Sequence, residues 1–150
     1  MEKRSTHHAT FTLERTYPAK PERVFRAWSD VEAKARWFSG AEIFDFRVGG
    51  REYSNGGPPD GPVFTFDACY QDIVPNERIV YSYVMDMDGR RISASVTTVE
   101  LHPAEDGTRL VFTEQGVFLD GLDTAEQREH GTNELLNMLG DALRSESEAS

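Results

Sequence analysis

The segment at residues 19–38 constrains the fold most, because it places two short helices directly after one strand. Pro21 suits the first position of a helix, where its fixed φ angle is favourable and its missing N–H would have no partner. Val24 and Trp28 follow at helical spacing and form one apolar face. We therefore predict a first helix that ends near residue 29.

A second helix should begin at once. Ser29 and Glu32 have the spacing of a capping box, in which each side chain satisfies a backbone donor near the other residue. The helix would contain Val31, Ala35 and Phe38. We expect the aromatic residues of this segment to close one end of the core or to form the rim of a pocket.

Period-two alternation of apolar and polar residues predicts strands on both sides of the helices, first at residues 10–17. The later strands are predicted at residues 42–48, 51–54, 63–74, 78–86, 91–102 and 108–118. Short turns rich in glycine, proline, asparagine or aspartate separate these strands. Neighbouring strands should therefore be antiparallel.

A long amphipathic helix should end the chain. Asp123 and Thr124 each stand three residues before a glutamate or glutamine, so we predict a start there and an end near residue 144. Such a helix is about 30 Å long, enough to cross a small sheet. Towards its N-terminus the inward stripe passes through Thr132, Gly131 and Arg128, so this part of the inner face is small and polar.

Composition excludes several classes of function. The sequence has 16 basic and 26 acidic residues and a formal net charge of −10, which disfavours nucleic-acid binding. Cys69 is the only cysteine, so an intramolecular disulfide is excluded and a reducing cytoplasm fits. The sequence has no apolar run of membrane-spanning length, so we expect a cytoplasmic protein without a membrane partner.

The length of 150 residues suits a single domain, with a core at residues 9–144 and tails at 1–8 and 145–150. Neither a metal nor a cofactor is expected. The histidines do not stand at ligand spacing with a carboxylate, and the glycine pairs lack the Lys-Ser/Thr of a phosphate-binding loop. Cys69 has no neighbouring base that would make it a nucleophile.

Four sequence pieces occur in a distinctive order: the helical block at 19–38, DFRVGGR at 45–51, PNERIVYSY at 75–83 and GTRL at 107–110. Together they resemble the family of homologues of the activator of heat-shock-protein-90 ATPase, over roughly residues 9–144. This family belongs to the START-like, or Bet v 1-like, superfamily (SRPBCC). The resemblance implies an α+β helix-grip fold, in which a curved antiparallel sheet wraps around a long C-terminal helix, often with a cavity between them. Relatives usually have Gly-Trp in that helix, whereas Thr132 follows Gly131 here, so a bulky filler is missing.

Phasing the strands against the core places one aromatic-rich set on the concave face, in which Val48 would follow Phe44 and Phe46. These side chains either fill the core or line a ligand cavity. The candidate cavity residues are Phe44, Phe46, Phe66, Tyr70, Tyr81, Tyr83, Phe112, Glu114, Arg128, Gly131, Thr132 and Leu135.

Glu114 is the acidic member of this set. It either faces a cavity, where it needs a partner or a raised pKa, or reaches solvent beside Gly116. Arg128 would be its partner, or would bind an anionic ligand group, or would be solvated. The tyrosine hydroxyls would orient a polar ligand group or lie at the rim of the core.

Three functions remain open. The first is a small-molecule binding protein that holds an apolar or amphipathic ligand between the sheet and the last helix. The second is a superfamily enzyme of the cyclase or hydrolase/dehydratase type, with Glu114 or a tyrosine as acid or base. The third is a protein-interaction module. Chaperone activation is not expected to transfer with the resemblance, because the matching domain of the eukaryotic activators follows a separate N-terminal domain. A homodimer through an exposed strand edge also stays open.

Overall fold

The computed structural model describes residues 4–149. Within that range the chain forms seven strands and three helices, namely β1 (Thr6–Tyr17), α1 (Pro21–Ser29), α2 (Val31–Lys34), β2 (Ala41–Phe44), β3 (Arg51–Gly56), β4 (Phe64–Val74), β5 (Arg78–Met87), β6 (Arg90–Ala104), β7 (Gly107–Leu119) and α3 (Ala125–Ala149). This order confirms the predicted α+β helix-grip fold. None of the helices in this part of the chain is both long and apolar enough to cross a membrane.

The seven strands form one antiparallel sheet in the order β1-β7-β6-β5-β4-β3-β2. Each strand from β2 to β6 pairs with the next strand along the chain. β1 pairs with β7 over its whole length, from Thr6 opposite Leu119 to Tyr17 opposite Thr108. The Tyr17 hydroxyl donates to the Leu136 carbonyl oxygen at 2.7 Å, which ties the first strand to α3.

The predicted cap between the first two helices was wrong by one residue. Ser29 is the last residue of α1, and Asp30 caps α2 by accepting a hydrogen bond from the Ala33 N–H at 2.9 Å. Asp30 has the extended backbone that an N-cap needs. α2 is a single turn, so Phe38 lies beyond its end, and Val31 is exposed rather than packed.

The strand predicted at residues 42–48 is also shorter than expected. β2 ends at Phe44, and a tight turn follows in which the Gly50 N–H donates to the Arg47 carbonyl oxygen at 2.7 Å. A Cβ atom at Gly50 would lie 2.0 Å from the Asp45 carbonyl oxygen, so the turn requires glycine there. Because the alternation stops at this turn, Val48 is 57 % exposed and does not lie on the concave face.

The regular structure extends beyond the predicted core at both ends. β1 begins at Thr6, so His7 and His8 pair with β7 instead of belonging to a tail. α3 continues to Ala149, past the predicted end near residue 144. Residues 1–3 and 150, which the predicted tails also include, lie outside the described residues.

Part of the core lies where α3 meets α1 and β1. Leu136, Leu139 and Leu143 of α3 are buried there against residues such as Tyr17 and Val24. One turn before this leucine stripe, the inward residues of α3 are small. The sheet and helix therefore separate around a space at the N-terminal half of α3.

Candidate functional site

A cavity of about 470 Å³ lies between the sheet and the N-terminal half of α3. Aromatic, methionine and leucine side chains form most of its wall, together with four charged residues. A Cβ atom on Gly131 would meet no atom within 4 Å, so the helix leaves open space at this position. A volume of this size accommodates a small organic molecule.

Nine of the twelve predicted residues line this cavity: Phe66, Tyr81, Tyr83, Phe112, Glu114, Arg128, Gly131, Thr132 and Leu135. The other three, Phe44, Phe46 and Tyr70, pack against one another instead. The ring centroids of Phe46 and Tyr70 are 4.7 Å apart, and those of Phe44 and Phe46 are 6.2 Å apart. These three rings form a separate aromatic group beside β2 and β4.

Arg128 lies at one side of the cavity, with its side chain 8 % exposed. Its Nη1 donates to the Tyr83 hydroxyl at 2.7 Å and to Glu114 Oε2 at 3.3 Å. Its Nη2 donates to Ser93 Oγ and to Asp123 Oδ2, both at 2.8 Å. The guanidinium thus contacts two carboxylates and two hydroxyls, which lie on three different elements and the segment before α3.

Both oxygens of the Glu114 carboxylate also accept hydrogen bonds. The Tyr83 hydroxyl donates to its Oε2 at 2.8 Å, and Thr97 Oγ1 donates to its Oε1 at 3.3 Å. Glu114 is 2 % exposed, which is tolerable only because these donors and Arg128 compensate the lost hydration. We call this group the Arg128 cluster: Arg128, Glu114, Tyr83, Asp123, Ser93 and Thr97.

The start of α3 positions Arg128. Thr124 Oγ1 accepts a hydrogen bond from the Gln127 N–H at 3.1 Å and so caps the helix. Asp123, the alternative cap, bonds to Arg128 instead. Burial alone would lower the pKa of the Arg128 guanidinium, but Tyr83, Glu114 and Asp123 outweigh burial and raise that pKa. Arg128 is therefore a permanent cation.

A second buried ion pair lies beside the cavity and was not predicted. Lys34 Nζ of α2 donates to Glu52 Oε1 of β3 at 2.7 Å, and these residues are only 5 % and 1 % exposed. The Tyr70 hydroxyl donates a short hydrogen bond to the same oxygen. Glu52 Oε2 is buried and has no hydrogen-bond partner among the described residues. We call this group the Lys34 cluster: Lys34, Glu52 and Tyr70.

Aromatic rings surround the Lys34 ammonium. Its Nζ lies 5.0 to 6.0 Å from the ring centroids of Trp28, Phe38, Phe44, Phe66 and Tyr81. Burial lowers the pKa of Lys34 below its ordinary value, because desolvation outweighs the opposing attraction of Glu52. Burial and, after it, the Glu52 charge raise the pKa of Tyr70 well above its ordinary value.

No pattern in the sequence predicts the Lys34 cluster. Lys34 ends a one-turn helix, where a lysine is ordinarily solvated, and no periodicity relates it to Glu52 eighteen residues later. Among the described residues, no group of three or more histidine, cysteine, aspartate or glutamate side chains is placed to hold a metal ion. The site therefore consists of an apolar cavity and two buried ion pairs.

The comparisons with known proteins agree with this architecture. The family described as Activator of Hsp90 ATPase homolog 1-like protein matches residues 18–145. The chain belongs to this family. The match confirms the resemblance and the START-like fold, and with them a fold of the ligand-binding type. No curated protein matches the chain.

Three solved structures of bacterial proteins are similar to this family member. The Mll3558 protein from Rhizobium loti is 53 % identical, with a TM-score of 0.85 and coverage of 92 % of this chain and 99 % of that one. A protein from Rhizobium leguminosarum is 45 % identical, with a TM-score of 0.89 and coverage of 95 % and 99 %. CV1439 from Chromobacterium violaceum is 28 % identical, with a TM-score of 0.77 and coverage of 88 % and 94 %.

Proposed function

We propose that this protein binds a small apolar or amphipathic molecule in the cavity between the sheet and α3. The single observation that supports this most is the open space at Gly131, where the helix presents no side chain to a wall of aromatic and aliphatic residues. A densely packed core would leave no such space. Binding therefore ranks ahead of the enzymatic and interaction alternatives.

The charges beside the cavity restrict the ligand further. Arg128 and Lys34 face Glu114, Asp123 and Glu52, so with all five groups ionised the site has a net charge of −1. Arg128 is already neutralised by two carboxylates, which makes it a poor receptor for a ligand anion. The preferred molecule is neutral, with a mainly apolar body and a small polar group.

Filling the cavity tests this function. Gly131→Phe should place a ring in the open space and weaken binding of N-phenyl-1-naphthylamine, a neutral fluorescent probe, by about tenfold or more. Gly131→Ala is the matched control, because it also removes the helical glycine and should gain about 1 kcal/mol of stability, yet leaves the space open. Titrations of probe fluorescence with the three proteins make the comparison.

Two outcomes would contradict the proposal. One is that wild-type protein does not bind the probe; the other is that Gly131→Phe binds it as tightly as Gly131→Ala. Native mass spectrometry of protein purified from its own cells complements the titration. A retained small molecule of constant mass that is lost from Gly131→Phe would identify the natural ligand.

A further inference from the structure

Lys34 has hydrogen-bonding capacity that the described side chains do not use. An ammonium has three N–H donors, and among the side chains of residues 4–145 it donates only to Glu52 Oε1. Aromatic ring faces surround the rest of the group. Since a buried lysine is costly, donors left without an oxygen acceptor call for an explanation other than stability.

The position of Lys34 beside the cavity suggests an explanation. Its side chain is part of the cavity wall, so a molecule in the cavity lies next to it. Arg128 also lines the cavity, but its nitrogens are held by Glu114, Asp123, Tyr83 and Ser93. Of these two cavity cations, Lys34 is the one whose donors lack oxygen acceptors among the described side chains. An ammonium that loses a proton becomes a nucleophilic amine, whereas a guanidinium keeps its proton.

Burial of Lys34 favours that loss, and the Glu52 charge opposes it less strongly. Burial lowers the pKa of the ammonium, which increases the fraction of neutral amine. Glu52 is in direct contact and can accept the proton, and its Oε2 has no other partner. An amine with a carboxylate partner beside an apolar cavity is an arrangement suited to reaction with a carbonyl group.

We propose that Lys34 captures an aldehyde or ketone in the cavity as a reversible imine. Glu52 first takes a proton from Nζ, and the Nζ lone pair then attacks the carbonyl carbon while the C=O π electrons move to oxygen. Glu52 gives its proton to that oxygen, takes a second proton from Nζ and passes it to the resulting hydroxyl. The C–O bond then breaks, so that water leaves as the protonated C=N bond forms. Amine and carbonyl compound give imine and water, without oxidation or reduction. The inference rests on the proposed function, because the cavity must hold the carbonyl compound.

Reductive trapping of wild-type protein tests the inference. 2-Naphthaldehyde with sodium cyanoborohydride converts an imine into a stable secondary amine, which peptide mapping locates. The sequence has only three lysines, Lys3, Lys20 and Lys34, and the exposed Lys20 is an internal reference. We expect modification at Lys34 to exceed that at Lys20 by about tenfold or more, and an excess of 2-naphthalenemethanol to suppress only the Lys34 adduct.

The alcohol separates the two proposals, since it has the same ring but no carbonyl group. If the alcohol binds by fluorescence titration while Lys34 reacts no faster than Lys20, the imine inference is wrong and the binding function stands. If neither compound binds or reacts, both are wrong. A Lys34 adduct that excess alcohol does not suppress would form outside the cavity and would also refute the inference.

Glu52→Gln provides a second test that keeps the size of the side chain. It should slow trapping at Lys34 by about tenfold, because the amide cannot take up the proton. Equal trapping rates in both proteins would remove Glu52 from the mechanism. The main measurement uses the wild-type protein, so it does not depend on the folding of this variant.

Discussion

The Arg128 cluster and the Lys34 cluster are both buried ion pairs beside one cavity, yet they differ in how completely their polar atoms are paired. In the Arg128 cluster, both oxygens of Glu114 accept hydrogen bonds and the guanidinium has four partners. In the Lys34 cluster, two donors share one oxygen of Glu52, and the other oxygen has none within the described part of the chain.

This difference separates two uses of buried charge. A fully paired network joins several elements and stabilises one arrangement of them, here three strands and the start of α3. An incompletely paired group costs stability, which makes it a candidate for chemistry. We therefore assign the Arg128 cluster to the architecture of the cavity and the Lys34 cluster to its reactivity.

The largest effect should follow from removing one member of the Lys34 cluster. Glu52→Leu leaves the Lys34 cation buried without its carboxylate, and we expect a loss of about 3–5 kcal/mol in the free energy of unfolding. Adding Lys34→Met should restore most of that loss, because an apolar pair of similar size replaces the ion pair. Urea unfolding of the single and double variants measures the coupling.

Glu42→Leu on the exposed edge strand β2 is the control for this cycle. Glu42 accepts one hydrogen bond, from Asn55 at 3.2 Å, so its replacement should change stability by no more than about 0.5 kcal/mol. A double variant no more stable than Glu52→Leu would mean that the pair does not act as a unit.

Removing one member of the Arg128 cluster should cost less stability, but a second substitution should restore a smaller share of the loss. Arg128→Met removes a hydrogen-bond partner from Glu114, Asp123 and Ser93. We expect it to lower the free energy of unfolding by about 2–3 kcal/mol. Glu114 keeps its two hydroxyl donors, which limits the damage. Adding Glu114→Gln should restore less than half, since Asp123 and Ser93 still lack their donor. Full recovery in urea unfolding would show a simple pair instead of a network.

The same contrast explains what could be predicted from the sequence. Period two in β7 places Glu114 in phase with Phe112, and helical spacing places Arg128 on the inner stripe of α3. Local periodicity therefore predicts the pair as one of the alternatives for Arg128. The Lys34–Glu52 contact depends on how the chain returns from α2 through the turn before β3. Periodicity contains no information about such a path.

Two local errors have a similar origin. Ser29 and Asp30 are adjacent, and serine and aspartate are both good N-cap residues. In the structure Asp30 is the N-cap of α2. Extending the alternation from Phe44 and Phe46 to Val48 crosses a turn that begins at Asp45. In both places the pattern was compatible with two backbone paths, and the backbone conformation of a few residues decided between them.

Alkaline pH gives the smallest and most local test of the two clusters. Burial, and then the Glu52 or Glu114 charge, raises the pKa of Tyr70 and Tyr83 well above the ordinary value of about 10. Above that pH the unfolded chain loses these protons and the folded protein keeps them, so the free energy of unfolding falls as pH rises.

Each tyrosine should lower the free energy of unfolding by about 1.4 kcal/mol between pH 9 and pH 11, and Tyr70→Phe or Tyr83→Phe should each remove that share.

The contribution of Lys34 to the pH dependence of stability has the opposite sign. Its pKa is lowered in the folded protein, so the unfolded chain binds more protons between the two pKa values and stability rises with pH up to about pH 10. Lys34→Met should abolish that rise, whereas the raised pKa of Arg128 predicts no such change below pH 10 in Arg128→Met. Urea unfolding at pH steps from 7 to 11 measures both signs, and a rise that persists in Lys34→Met would show that the Lys34 amine is not the group that loses its proton.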